Sequence, residues 1–261
     1  MFNLVVTCVG KKDENYDGPS INESINNLTT RGINDNVDVL FEEWKETLIQ
    51  KMKTFPVLPT AHELYKGGMW KASMDAYKSI KCEKNLWVIS CGFGLINGDD
   101  HICGYHATFD PNADDRIYNK QYFTTLKRTA INRSWWEHLT KNNIIETKRS
   151  HSLHELVKQS KEDDIIMVVA GKNYYEAIYN DLNQIKISDN FPNLRFVGIK
   201  RVGRNYDPDI PHHLHPYIIP YTDGTKLQAF LKCGMTQRHP KSARFLIDQY
   251  NKTGKLAYTF P

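Results

Sequence analysis

The chain has 261 residues, of which 40% are hydrophobic and 25% charged, as is typical of a globular protein built around one hydrophobic core. No stretch reaches the roughly 18 apolar residues that cross a bilayer, and the apolar residues 4–9 are too few for a secretory signal. We therefore expect one soluble, cytoplasmic domain over residues 1–261 with no membrane partner, and the net charge of +4 permits an anionic partner without requiring one.

Four apolar runs rich in β-branched residues predict strands at residues 4–9, 86–91, 164–170 and 194–199. Because these runs are almost continuously apolar, we expect them to be covered on both faces of a parallel sheet. Apolar residues at helical spacing predict helices at residues 37–52, 69–80, 122–139 and 153–159. The alternation predicts a three-layer α/β sandwich with a central four-stranded parallel sheet.

Two segments lie outside this alternation. Residues 17–38 are rich in Asn, Gly, Ser and Thr, which predicts a loop insertion after the first strand. Residues 225–261 are predicted to form a basic helical C-terminal extension of two helices, broken at residues 234–240. The five cysteines are scattered without a Cys-x-x-Cys pair, so we expect no disulfide framework, metal or cofactor.

Ligands of open parallel sheets bind beyond the carboxyl ends of the strands, so the residues after each strand are candidates for the site. The first strand is followed by Cys8, Gly10, Lys11 and Lys12, where two ammonium groups could hold a phosphate. Taken alone, a glycine and two lysines after a strand more often form a solvated turn. The third strand is followed by Asn173 and Tyr174, and Asn173 could read a base edge or cap a helix.

Polar and aromatic residues follow the second strand most densely. Gly92 and Gly94 flank Phe93, which could stack on a planar ligand that the glycines allow to approach. Acidic, imidazole and phenol groups follow within residues 99–110. A polar loop with a buried Phe93 is the alternative. After the fourth strand, three closely spaced cations suit a phosphate backbone or a solvated charge run: Lys200, Arg201 and Arg204.

The order of these residues resembles a bacterial and phage family of uncharacterised domains. The matching segments are Cys8-x-x-Lys11-Lys12, Glu63-Leu64-Tyr65, Trp87-x-Ile89-Ser90-x-x-Phe93-Gly94-Leu95-Ile96, Ile102-x-x-Tyr105-x-x-Thr108 and Ala170-Gly171-x-x-Tyr174. The family is similar to a domain of archaeosine-type tRNA transglycosylases and to peroxide-stress DNA-binding proteins. The resemblance, over residues 4–205, implies a uracil-DNA glycosylase-like fold. Within that group, the chain resembles antiphage glycosylases that remove glucosylated hydroxymethylcytosine from DNA and leave abasic sites.

A DNA glycosylase needs an anion near C1′, donors for the departing base and a pocket for a flipped nucleotide. We expect Asp99, Asp100 or Asp110 to activate water, and His106 or Tyr105 to donate to the base. The residues expected to form the base-binding wall are Cys8, Gly10, Tyr65, Ser90, Gly92, Phe93, Gly94, Tyr105, Asn173 and Tyr174. The residues expected to hold DNA are Lys11, Lys12, Lys200, Arg201, Arg204, Arg238, Lys241 and Arg244.

The sequence departs from the family pattern where Phe93 replaces a tyrosine and where His106 replaces the aspartate after Tyr105. The second change removes a carboxylate at that position. Two other functions use the same residues: a nucleotide or deazapurine-processing enzyme that acts on small molecules, and a non-catalytic nucleic-acid-binding protein. A lysine that attacks C1′ is an alternative to water. The sequence indicates no obligate protein partner.

Overall fold

A mostly parallel sheet of seven strands forms the centre of the computed structural model, which describes residues 1–145, 149–188, 191–256 and 258–261. The strands are β1 (Phe2–Thr7), β2 (Lys84–Ser90), β3 (Gly94–Asn97), β4 (Ile165–Val169), β5 (Asn193–Val202), β6 (Asn205–Asp207) and β7 (Ile218–Tyr221). Their order is β3-β2-β1-β4-β5-β6, and β7 also pairs with β5. The pairs β1–β2, β1–β4, β4–β5 and β5–β7 are parallel, whereas β3 and β6 run antiparallel to their neighbours.

Helices cover the sheet in two groups, an arrangement compatible with a three-layer α/β sandwich. The α-helices are α1 (Ile21–Thr30), α2 (Val37–Lys53), α3 (Ala61–Leu64), α4 (Gly68–Ser79), α5 (Arg128–Lys141), α6 (Leu153–Gln159), α7 (Lys172–Ala177), α8 (Tyr179–Asn183), α9 (Gly224–Leu231) and α10 (Arg238–Thr253). Helix α10 packs on α4, β4 and β5, while α5 packs on α2, α7 and α8. Three short 3₁₀ helices cover Glu14–Tyr16, His212–Tyr217 and Met235–Gln237.

The central strands are buried throughout their length, as their continuous apolar sequences predict. Every residue of β1 and β4 is buried, and the apolar side chains join one core cluster that includes Phe2 and Phe260. Among the described residues, no helix combines the length and apolar character needed to cross a bilayer.

The four predicted strands are present, but the sheet has three more. Strand β3 has only four residues and follows β2 after the tight turn Cys91–Phe93, so the sequence pattern does not distinguish it from the loop. Strands β6 and β7 are also short, and β7 contains Pro220, which removes a backbone donor from the ladder. These strands depend on pairing with long neighbours rather than on their own patterns.

The segment 17–38 contains helix α1 instead of a continuous loop. Ile21, Ile25 and Leu28 lie on one buried face, and Ser20 caps the helix. Asp35 also fixes a distant part of the chain, because its carboxylate accepts hydrogen bonds from the backbone of Thr124 and Thr125 at 2.7 and 3.1 Å. The helix predicted over 122–139 consequently begins later, at Arg128.

The predicted C-terminal extension packs against the body of the protein. It forms two helices, α9 and α10, separated by residues 232–237, close to the predicted break. Helix α10 buries an apolar face that includes Ala243, Leu246 and Ile247. This packing brings the start of α10 to the carboxyl ends of the parallel strands.

Candidate functional site

A cavity of about 590 Å³ opens at the carboxyl ends of β1 and β4. Its lining comes from residues 7–11 at the end of β1 and after it, residues 66–69 at the start of α4, residues 169–174 at the end of β4 and after it, and the region where α10 begins, namely Met235, Thr236 and residues 238–240. Ser73, Thr108 and Asp110 complete it. The volume lies within the range of small-molecule and cofactor sites. Residues remote in sequence therefore form one ligand-sized pocket where a parallel sheet typically binds its ligand.

Cys8 and Tyr174 form a polar group on the inner side of this cavity. The Tyr174 hydroxyl lies 3.3 Å from Cys8 Sγ and 3.6 Å from Cys91 Sγ, and it donates to the Cys8 carbonyl at 3.3 Å. The two sulfur atoms are 3.8 Å apart. The edge of the Phe109 ring packs on the Tyr174 ring, with 5.5 Å between the centroids, so the tyrosine is held in position.

The surroundings of Cys8 favour its thiolate. Burial alone would raise the pKa of Cys8, but the Cys91 hydrogen bond, the Lys12 ammonium and the Tyr105 and Tyr174 hydroxyls lower it to about 6. Burial raises the pKa of the neighbouring Cys91 thiol well above its usual range. Of the two cysteines, Cys8 is therefore the one whose thiolate is favoured, and it lines the cavity.

We expect a small alkylating reagent such as iodoacetamide to modify Cys8 with a rate that rises through pH 6 and levels off above about pH 7, since the thiolate is the nucleophile. Peptide mass spectrometry at several pH values measures this rate. Cys103 is the internal control, because burial raises its pKa to about 12. A Cys8 rate that keeps rising tenfold per pH unit up to pH 9 would show that its pKa is not lowered.

A buried hydroxyl cluster lies behind Cys8. The Tyr105 hydroxyl is 2.8 Å from Ser90 Oγ and 3.1 Å from the Tyr65 hydroxyl. Ser90 Oγ accepts hydrogen bonds from the backbone of Gly92 and Phe93 at 3.3 and 3.1 Å, which fixes the turn after β2. These three predicted base-binding residues are fully enclosed, so they support the site rather than line the cavity.

The two lysines after β1 have different environments. Lys11 is exposed and lines the cavity. Lys12 turns inward, where its ammonium donates to the carbonyls of Val9 and Gly10 at 3.2 and 3.4 Å and lies 4.1 Å from the centre of the Tyr105 ring. Burial lowers the pKa of Lys12. Lys12 therefore stabilises the turn and the Cys8 thiolate, whereas Lys11 is available to a ligand.

The cavity wall is strongly cationic. It carries Lys11, Lys66, Lys172 and Arg238, against one carboxylate, Asp110, in the described lining. Lys66 faces Asp13 at 3.6 Å and Lys172 faces Asp207 at 2.7 Å. Among the described residues, no carboxylate lies within ion-pair distance of Lys11 or Arg238. The excess of cations over carboxylates in this wall suits an anionic ligand.

Backbone amides add to this positive wall at the start of α4. Gly67 has φ +93°, a conformation that favours glycine, and it precedes the helix without a side-chain cap. The first N–H groups of α4 lack helical acceptors and are available to an anion in the cavity.

Asn173 is held by a charged network beside the cavity. Its side-chain oxygen accepts a hydrogen bond from Arg128 at 3.1 Å, and Arg128 also pairs with Glu176 at 2.9 Å. This contact leaves the Asn173 amide N–H groups available as donors. Of the predicted base-binding residues, the cavity lining contains Cys8, Gly10, Asn173 and Tyr174.

His239 is a lining residue that the sequence did not assign to the site. Arg238 Nε donates to His239 Nε2 at 3.0 Å, and because a guanidinium can only donate, His239 must be neutral with its proton on Nδ1. Burial and the adjacent Arg238 charge lower the pKa of His239 to about 3. The neutral imidazole has one N–H donor, at Nδ1, and His239 lines the cavity. A histidine within the predicted break at residues 234–240, next to Arg238, is the available signal.

Three of the four predicted catalytic residues do not line the cavity: Asp99, Asp100 and His106. Strand β3 runs antiparallel and returns the chain to the amino ends of the parallel strands, where Asp99 lines a different pocket with Met1. Asp100 is buried, accepts from the Asn97 backbone at 2.7 Å and pairs with Arg149 at 2.9 Å. His106 is half-buried, and its Nε2 lies 2.7 Å from Asp17. Asp110 alone of the predicted carboxylates lines the cavity.

The turn after β2 is packed into the core. Phe93 is 4% exposed and its ring meets the Tyr105 ring edge-on at 5.5 Å. A Cβ at Gly92 would lie 2.9 Å from the Tyr105 ring, and Gly94 has φ +83°. Gly92 therefore leaves room for the Tyr105 ring, and Gly94 permits the tight turn. The Phe93 ring is packed in the core and does not line the cavity.

Apart from Lys11 and Lys12, the predicted DNA-binding cations fall into two groups. Arg201 and Arg204 are exposed on the β5–β6 hairpin, and Lys200 lies where this hairpin meets a smaller cavity. In α10, Arg238 lines both cavities, but Arg244 pairs with Asp248 at 2.9 Å and donates to the Asp75 carbonyl at 2.7 Å. Lys241 donates to the Lys232 carbonyl at 3.5 Å. Arg244 thus joins α10 to α4.

The described residues contain no cluster of three or more His, Cys, Asp or Glu side chains arranged to hold a metal. Searches against protein-family models, curated proteins and solved structures found no match to this chain.

Proposed function

We propose that the protein binds a phosphate-bearing nucleotide in the main cavity and hydrolyses its N-glycosidic bond, and that this nucleotide belongs to a DNA strand. The observation that carries the proposal is the lining: one carboxylate, Asp110, shares the cavity with four cations and a neutral imidazole donor. Cleavage of an N-glycosidic bond builds positive charge on the sugar and negative charge on the base, and such a lining can stabilise both.

In the proposed step, Asp110 accepts a proton from a water molecule that attacks C1′. The C1′–N bond breaks, its electron pair goes to the base, and the hydroxyl group stays on the sugar. His239 Nδ1–H donates a hydrogen bond to the base as negative charge develops there. The proton taken from water then passes to the released base, so that water has been added across the bond.

In this proposal the residues after β4 recognise the base, instead of Phe93. The Tyr174 side chain offers an aromatic ring, and Asn173 offers amide donors fixed by Arg128. Lys11 and the amides at the start of α4 would hold the phosphate of the bound nucleotide. The exposed Arg201 and Arg204 beside the site favour a ligand that continues beyond the cavity, as a DNA strand does.

The test is release of free base from DNA by purified protein. The substrates are unmodified duplex DNA and phage DNA with glucosylated hydroxymethylcytosine, the base that the family resemblance indicates. We expect mass spectrometry to detect a free base, and alkaline treatment to cleave the same DNA at abasic sites. DNA that stays intact throughout this panel, with the protein folded and in excess, would contradict the proposal.

A hydrolase of free nucleotides is the second candidate. Residues 235–240 line one side of the cavity and partly enclose it, as in many small-molecule sites. Thermal shift measurements separate the two candidates: mononucleotides should raise the melting temperature as much as oligonucleotides do if the substrate is free, and less if it is DNA.

A further inference from the structure

A second, smaller cavity of about 250 Å³ adjoins the main one. The two cavities share Lys172, Arg238 and His239 in their linings. The smaller cavity is completed by the carboxyl-terminal part of β5, by Asp207 and Tyr221, and by the start of α9. A ligand in the main cavity can therefore extend past Arg238 into the smaller one.

The smaller cavity has an excess of positive charge. Its charged lining residues are Lys172, Lys200, Arg238 and Asp207, and Asp207 pairs with Lys172 at 2.7 Å. In the described part of the chain, no carboxylate lies within ion-pair distance of Lys200 or Arg238. Two cations are thus available to an anion, in a space large enough for a phosphate group.

Arg238 is held in place between the two cavities. Its Nε donates to His239, and its guanidinium group lies 5.3 Å from the centre of the Tyr221 ring. Gly224 makes room for this group, because a Cβ there would lie 2.8 Å from Arg238 Nη1. A guanidinium fixed in this way loses little entropy on binding a phosphate.

We infer that the smaller cavity is a second phosphate subsite, formed by Lys200 and Arg238, for a ligand whose two phosphates are separated by a sugar. The inference rests on the proposed function and names the ligand more closely. Lys11 lies in the main cavity and Lys200 in the smaller one, with Arg238 between them. Two cavities, each with its own available cation, suit the 3′- and 5′-phosphates of one nucleotide better than the adjoining phosphates of a diphosphate.

The test is calorimetric binding of four probes: a deoxynucleoside 3′,5′-bisphosphate, the matching 3′- and 5′-monophosphates, and the 5′-diphosphate. We expect the bisphosphate to bind at least about tenfold more tightly than the tighter monophosphate, as one further charge-assisted contact predicts. In the Lys200→Gln variant this ratio should fall below about threefold. The control is Lys226→Gln, an equal charge change on exposed α9 surface outside both cavities, which should keep the ratio.

Three outcomes would overturn the inference: a bisphosphate that binds no more tightly than the monophosphates, an equal loss in Lys200→Gln and Lys226→Gln, or a gain shown by the 5′-diphosphate alone. The measurement needs no turnover. If DNA stays intact but the bisphosphate preference holds and depends on Lys200, the subsite stands and the proposed hydrolysis fails. If base is released without that preference, the subsite alone fails.

Discussion

Replacement of Asp110 by Asn should lower the rate of base release by about 10²- to 10⁴-fold, the usual contribution of a general base. The amide cannot take a proton from water or balance positive charge on the sugar. The change keeps the shape of the side chain, and the Asn oxygen can still accept the hydrogen bond that Asn112 N donates to Asp110 at 3.0 Å. Single-turnover release of base from DNA measures the loss, and DNA affinity should change little.

Asp99→Asn is the matched control for this prediction. Asp99 is also exposed and acidic, but it lies by the amino ends of the parallel strands. We expect this variant to release base at the rate of the unchanged protein. If Asp99→Asn loses activity and Asp110→Asn keeps it, the catalytic assignment to the main cavity is wrong.

The sequence predicts the parts of the fold that depend on long, uniform patterns. The strands β1, β2, β4 and β5 are continuous apolar runs, and such runs are stable only when both faces of the sheet are covered. Helix α1 was missed because Asn residues surround its three buried apolar positions. Short strands such as β3 and β7 carry too few residues for a pattern, and tertiary pairing determines them.

The position of the site was predictable from the rule that ligands bind beyond the carboxyl ends of parallel strands. The rule predicts Cys8, Gly10, Asn173 and Tyr174 at this edge of the sheet, and the cavity lining contains all four. The same rule does not predict the position of Asp99, because it assumes that the residues after β2 stay at the carboxyl ends of the strands. Here β3 reverses the chain and removes the following residues from the site.

The sequence pattern does not predict that the start of α10 lines the cavity. His239 reaches the cavity only because the apolar face of α10 packs on α4 and the sheet, which fixes where the helix begins. Local patterns predict that a helix exists, but its docking position depends on packing with α4, β4 and β5, which are more than 30 positions away in sequence. The basic residues of this segment therefore divide into those at the cavity, such as Arg238, and those that join helices, such as Arg244.

Gly198 affects both the backbone of β5 and the space that the His239 ring occupies. Gly198 has φ +102° and lies at an irregularity in the β5–β7 pairing, between Val197 and Lys200. A Cβ at this position would lie 2.1 Å from the Ala170 carbonyl oxygen and 3.1 Å from the His239 ring. Glycine thus allows β5 to bend beside β4 and gives the imidazole its space.

We expect Gly198→Ala to lower the free energy of unfolding by roughly 3 kcal/mol or more, because the unfavourable φ and the overlap with backbone act together. Urea denaturation measures the change. Gly203→Ala is the control: Gly203 also has positive φ, +61°, but nothing lies within 4 Å of its added Cβ. Backbone conformation alone should then cost about 1 kcal/mol. Equal losses in the two variants would show that the contact with Ala170 and His239 is not tight, and that the space for the imidazole does not depend on glycine.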